Sequence, residues 1–241
     1  MSSCQTNLPS TLTVSLREMR MVLERLMQVT RVEPGLVPSL RDCALFSAAL
    51  GLGGFARLSD NLEAVKVADP HAIKLAATDR PVIDCARQHA WIAVDAALEL
   101  AIETLRTGGN GAVEVKNATA IGELKVAEAL AQRFGLKATV TIDETAGTAL
   151  IVVAPATDAA DIGILGRIRR EGLVVDAGLW WQLFHQSAEA LAPDSYMSRR
   201  HAGPIIVEAD GKVIGRQDED ETDLSLLLAD APRGETASTN H

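Results

Sequence analysis

A chain of 241 residues with 47% hydrophobic but only 3% aromatic content can bury a large core of Ala, Val, Leu and Ile, the composition of helices packed on a sheet. Its formal charge of −9 at pH 7 argues against nucleic acid or an anionic membrane as the main partner, and no Lys/Arg stripe offsets that balance. No apolar run approaches the roughly 18 residues of a membrane span, the first 13 residues lack the basic-then-apolar order of a secretory leader, and Cys4, Cys43 and Cys85 lack CxxC or metal-ligand spacing. These features together predict a protein with free thiols in a reducing cytoplasm.

In chain order, Ser15 and Glu18 form a capping box that opens a helix to about Val32. Ser39 with Asp42 repeats a looser version of the signal, and Leu45, Ala48 and Ala49 give the next helix its apolar face. Gly51, Gly53 and Gly54 break that helix, and a short one over 55–66 ends before Asp69-Pro70. Ala90, Val94, Ala97, Leu98, Ala101, Ile102 and Leu105 lie on one side of a long helix, for which Asp84 is the expected N-cap, with His89 one turn inside.

Gly108, Gly109 and Gly111 end that helix. Ala112 to Lys116 then reads as a strand, 121–134 as an amphipathic helix and 137–142 as a second strand, a β-α-β unit whose two strands should be parallel neighbours. Residues 148–153 form a third strand in a hairpin with the second. Helical patterns follow at about 158–170 and 177–191, and Ile205 to Val207 with Val213-Ile214 flank the turn dipeptide Asp210-Gly211. The expected architecture is a single α/β domain over 14–230, a mixed sheet flanked by helices behind an N-terminal helical segment, with 1–13 and 231–241 as tails.

Several stretches carry a family resemblance. Val82 to Asp84, the helix to Leu105 and Gly111-Ala112-Val113-Glu114-Val115-Lys116-Asn117-Ala118-Thr119-Ala120-Ile121-Gly122 form the first. Leu50-Gly51-Leu52-Gly53-Gly54-Phe55-Ala56-Arg57-Leu58 and Gly147-Thr148-Ala149-Leu150-Ile151-Val152-Val153-Ala154-Pro155 are the others. Over about residues 14–155 the chain resembles, as a short divergent relative, the malate/L-lactate dehydrogenase family, which includes ureidoglycolate and sulfolactate dehydrogenases. That resemblance implies a dehydrogenase-like α/β scaffold, a homodimer, NAD or NADP, and Arg57 on a substrate carboxylate. It departs from the pattern where chemistry matters, because Ala120 and Gly53 stand where the family carries histidines and Asn61 where it carries tyrosine. Ser15-Leu16-x-Glu18, Ala49-Leu50-Gly51-Leu52-x-Gly54 and the Trp180 to Gly203 segment also resemble a family of short bacterial proteins without an assigned activity.

Hydride transfer to a keto acid needs a proton donor at the forming alkoxide, a task suited to imidazole and impossible for Ala or Gly. Displaced acids would be His89, His71 or Asp84. Ser198-Arg199-Arg200-His201 is the densest polar cluster, and its guanidiniums could clamp a carboxylate or phosphate or form a solvated loop. No GxGxxG precedes a helix, Gly109-Asn110-Gly111 reads as a turn, and the acidic run 218–223 lacks EF-hand spacing. The leading expectation is therefore a binding protein for a small carboxylate, using Arg57, Arg199, Arg200 and His201, with no assigned catalytic or metal-ligating residue. The second is an NAD(P)-dependent oxidoreductase acting on a small oxo or imino acid.

Overall fold

Ser15 turns the chain from strand into helix as the sequence predicts. Its hydroxyl accepts the Glu18 N–H at 3.2 Å, which satisfies one of the donors that a helix start leaves unpaired. The computed structural model describes residues 9–77, 81–156, 163–191, 206–207 and 213–214. In chain order it contains β1 (Thr11–Val14), α1 (Leu16–Thr30), α2 (Val37–Ala49), α3 (Leu58–Lys66), β2 (Lys74–Ala77), β3 (Val82–Asp84), α4 (Ala90–Arg106) and β4 (Ala112–Lys116). There follow α5 (Ala127–Leu130), β5 (Leu136–Asp143), β6 (Thr148–Pro155), α6 (Gly163–Glu171), β7 (Leu173–Asp176), α7 (Ala177–Ser187), β8 (Ile206–Val207) and β9 (Val213–Ile214).

Two compact units divide the chain, Met1–Leu191 and Ala192–His241. In the second unit β8 and β9 pair antiparallel, as the Asp210-Gly211 signal predicts. The remainder of the fold belongs to the first unit. There Thr11 to Thr13, assigned to a tail by sequence, belong to β1, which pairs antiparallel with β7.

The five-stranded sheet has the order β2-β3-β4-β6-β5. Here the expected β-α-β unit is corrected. Strands β4 and β5 lie in one sheet but are not neighbours, because β6 inserts between them and runs antiparallel to both. The parallel neighbours are β3 and β4, joined by the long helix α4, and β3 is a three-residue strand that alternation could not reveal.

One face of this mixed sheet is buried. Val113 and Val115 of β4, Ala138 and Val140 of β5, and Ala149, Ile151 and Val153 of β6 join one hydrophobic core with Ala97, Leu98, Ala101 and Ile102 of α4. The alternate residues Glu114, Thr139, Thr141 and Leu150 are exposed, as period-2 side-chain alternation requires. Helix α1 buries Met19, Val22, Leu23, Leu26 and Met27, leaving Arg17, Glu24, Arg25 and Gln28 outside the core.

Three other local expectations change. The amphipathic segment 121–134 is α-helical only over α5, with 3-10 turns at Ile121–Val126 and Ala131–Phe134. Helix α2 starts before Ser39, with Leu36 as its cap residue; the Ser39 hydroxyl instead donates to Asp95 of α4. Asp42 is buried and binds Arg133 at 2.5 Å and Arg41 at 3.1 Å, an ion pair that holds α2 to the turn after α5. Among the described residues no helix is long and apolar enough to cross a membrane.

Candidate functional site

The break after α2 and the turn after β4, far apart in sequence, meet at one carboxylate. Glu123 is 7% exposed at the start of the 3-10 turn. Its Oε1 accepts the Gly53 N–H at 3.0 Å, its Oε2 accepts the Trp91 Nε1–H at 3.0 Å, and its own N–H donates to the Ala120 carbonyl at 2.8 Å. Gly53 and Ala120, the two positions where the resembled dehydrogenases carry histidine, are thus both bonded to Glu123.

His89 stands beside this carboxylate and is 4% exposed. It is the N-cap of α4, its Nδ1 accepting the Trp91 N–H at 3.2 Å, which corrects the expected Asp84 cap. Since Nδ1 accepts, the neutral ring carries its proton on Nε2 and donates it to Asn61 Oδ1 at 3.3 Å. Burial, opposed by Glu123 and reinforced by Arg57, brings the imidazole down to about 4, so it is neutral at pH 7. Asn61 is 6% exposed, and its Nδ2 has no hydrogen-bond partner among the described residues.

Arg57 ends the 3-10 turn before α3 and is exposed. Its stem lies against Gly53, where an added Cβ would meet Arg57 Cδ at 3.2 Å and Glu123 Oε1 at 2.8 Å. No ion pair engages its guanidinium among the described residues, and Glu123 has no oxygen without a donor. Arg199, Arg200 and His201 lie outside the described residues, as does Cys4.

The other candidate acids are placed elsewhere. Asp84 accepts from the Ala86 N–H at 3.0 Å and from Asn117 Nδ2 at 3.0 Å. Those bonds, with Lys116 nearby, hold its carboxyl below the usual carboxylate range, so it stays ionised rather than serving as an acid. His71 is exposed in a 3-10 turn whose cap is Asp69. Cys43 and Cys85 are free and buried; burial pushes the Cys43 thiol far up and that of Cys85 to about 12, which removes them as thiolate nucleophiles.

A dinucleotide would need backbone N–H groups free to cradle its phosphates. Among the described residues, the glycine-rich stretches at 51–54 and 108–111 do not fit that need. The Gly53 N–H is held by Glu123 and that of Gly54 by Ser47 Oγ at 2.8 Å. Gly111, at φ 62°, is demanded by packing, because a Cβ there would lie 2.6 Å from the Val153 carbonyl. Among the described residues there is also no cluster of His, Cys, Asp or Glu suited to a metal ion.

A second polar region lies on the exposed side of α1. A concavity of about 650 Å³ is lined by Ser15, Arg17, Arg20, Glu24, Arg25 and Gln28 of that segment, with Arg169 of α6. Sequence reading found no basic stripe, yet Arg17, Arg20 and Arg25 occupy one side of this helix, hidden in an otherwise acidic composition.

No family model matches the chain, and no curated protein matches it. Among solved structures it is similar to a malate dehydrogenase from Entamoeba histolytica, with 17% identity, a TM-score of 0.44 and coverage of 85% of this chain and 58% of that one. It is also similar to the malate dehydrogenase from Pyrococcus horikoshii OT3, with 14% identity, a TM-score of 0.48 and coverage of 76% and 66%. The chain spans less than two thirds of either protein.

Proposed function

We propose that the protein binds a small carboxylate through Arg57 on a dehydrogenase-like scaffold without performing hydride transfer. The observation carrying this reading is the contrast at Glu123. Both its oxygens and the neighbouring imidazole are engaged inside the protein, whereas the adjacent Arg57 guanidinium is exposed and without an ion pair. A planar guanidinium offers two parallel donors to a carboxylate. A second copy of the chain would complete the homodimer implied by the resemblance.

The alternative is an NAD(P)-dependent oxidoreductase acting on a small oxo or imino acid. A buried histidine with a lowered proton affinity beside an arginine is the observation in its favour. Against it, both ring nitrogens of His89 are occupied, and the glycine-rich turns spend their N–H groups on Glu123 and Ser47.

The test is a titration of pyruvate and oxaloacetate against the wild-type protein and Arg57→Ala, with NADH and NADPH followed separately by nicotinamide fluorescence. The binding reading predicts saturable acid binding that weakens roughly tenfold in Arg57→Ala, the scale of one exposed charge-assisted contact, and no cofactor signal at millimolar concentration. Saturable NADH or NADPH binding would return the oxidoreductase reading to first place, and acid binding unchanged by Arg57→Ala would remove this arginine from the site.

A further inference from the structure

The α1 concavity has a chemistry distinct from Arg57 and does not depend on it. Four guanidiniums, those of Arg17, Arg20, Arg25 and Arg169, line it with a single carboxylate, Glu24. That carboxylate is already held at 2.5 Å by Arg41 from α2. Arg20 reaches Asp42 only at 3.9 Å, while Asp42 makes closer bonds to Arg41 and Arg133. The Arg20 Nε is buried with no hydrogen-bond partner, and Arg17, Arg25 and Arg169 form no ion pair among the described residues.

Like charges brought together repel, and a chain with 32 acidic residues has ample means to neutralise them. Arg17, Arg25 and Arg169 nevertheless stay unpaired among the described residues and Arg20 has only its long contact to Asp42, an arrangement around a concavity that an anion of matching charge would stabilise. The lining carries an excess of three positive charges, more than a monocarboxylate answers and close to that of a linked pair or triplet of phosphoryl groups. Gln28 and Ser15 add neutral polar groups, and the lining contains no aromatic ring on which a base could stack.

We infer that the groove between α1 and Arg169 of α6 is a binding site for a small polyphosphate anion, recognised through its phosphoryl oxygens by Arg17, Arg20, Arg25 and Arg169. Recognition is of the phosphates alone, whether they come as an inorganic chain or as the tail of a nucleotide. Guanidinium pairs match phosphoryl oxygens in two-point geometry, which point-charge lysines would not supply.

The experiment is calorimetric titration of the full chain with sodium tripolyphosphate, repeated with ATP and adenosine. Four variants accompany it: Arg17→Ala/Arg25→Ala on α1, Arg169→Ala on a separate helix, and Arg106→Ala and Arg57→Ala as controls, with thermal melts confirming that each remains folded. The expected result is saturable binding of tripolyphosphate and of ATP within about threefold of each other, with none of adenosine. At least a tenfold loss is expected in the double variant, a smaller loss in Arg169→Ala and no change in either control. Equal losses in Arg106→Ala would mean diffuse charge attraction and overturn the site, as would ATP binding without tripolyphosphate binding. A loss confined to Arg57→Ala would assign the phosphate to the Arg57 region instead, and a single-stranded oligonucleotide that displaces tripolyphosphate more tightly as it lengthens would overturn the small-ligand assignment in favour of a nucleic-acid surface. Because carboxylate binding is read on Arg57→Ala, the two proposals can fail separately.

Discussion

The pocket of polar groups around Glu123 and the arginine groove on α1 contain the same kinds of side chain in opposite states. Around Glu123 nearly every donor and acceptor finds its partner within the protein: Gly53, Trp91, His89 and Asn61 close on one another, with Asn61 Nδ2 the exception. On α1 Arg17 is exposed and Arg20 and Arg25 are half-buried, their potential partners are engaged by other arginines, and the buried, unbonded Arg20 Nε is the exception there. Burial accounts for the difference. A polar group withdrawn from water costs several kcal/mol unless it is bonded, so a buried cluster must be satisfied internally to be stable; an exposed arginine bears no such cost and can wait for a ligand.

The comparison therefore predicts that stability resides in the first region and ligand response in the second. The largest effect is expected for Glu123→Ala, which orphans the Gly53 N–H and the Trp91 Nε1–H together. Urea unfolding should show a loss of about 3 kcal/mol, the scale of two charge-assisted bonds less what relaxation recovers. Arg17→Ala, exposed and unpaired, should change stability by under about 0.5 kcal/mol. Equal effects would erase the distinction.

Acid should act on the same cluster. With the folded His89 at about 4 and an unfolded value near 6.5, the unfolded chain binds the extra proton between these limits. This contribution to stability is full above pH 6.5, falls as pH drops through the window and amounts to a loss of about 3 kcal/mol below pH 4. His89→Gln should flatten this part of the stability–pH curve, because glutamine takes up no proton there. An unchanged slope in His89→Gln would show that other groups carry it.

A smaller effect sits at Ala120. Its φ of 50° is left-handed, a conformation that strains any side chain with a Cβ by about 1 kcal/mol. Ala120→Gly should therefore raise the melting temperature slightly, offset in part by glycine's greater freedom when unfolded. A fall in melting temperature would mean that the alanine methyl packs in a way its exposed position does not suggest.

The features legible in the sequence were the local ones. The Ser15–Glu18 cap, the apolar stripe of α4 and the Asp210-Gly211 hairpin each depend on residues a few positions apart. The placement of β6 between β4 and β5 was not legible, since a hairpin strand can join either side of its partner and period-2 alternation is the same in both cases. Strands β1 and β7 are four residues each and pair across most of the chain, too short and too distant to be read singly.

At the site, the sequence singled out Arg57, Gly53 and Ala120 but missed the convergence of Gly53 and Ala120 on Glu123, with the Arg57 stem beside Gly53. A signal was there: Glu123 shares a helical face with Val126, Ala127 and Leu130, all buried, and a charge on an apolar face calls for a partner. Its partner Gly53 lies 70 positions away, beyond any local rule. The arginine groove was obscured for a different reason, because a net charge of −9 averages over a surface whose charges are segregated.

One measurement reaches both regions at once: a proton–nitrogen correlation spectrum of the side-chain Trp91 Nε1–H and the arginine Nε–H groups, recorded while tripolyphosphate is added. The account predicts that the Arg20 Nε–H, buried and unbonded in the free protein, shifts saturably together with those of Arg17, Arg25 and Arg169, while Trp91 Nε1–H stays on Glu123 and does not move. A shift of the Trp91 signal with the α1 arginines unmoved would contradict it, since the internally bonded cluster would then be the part that answers to ligand.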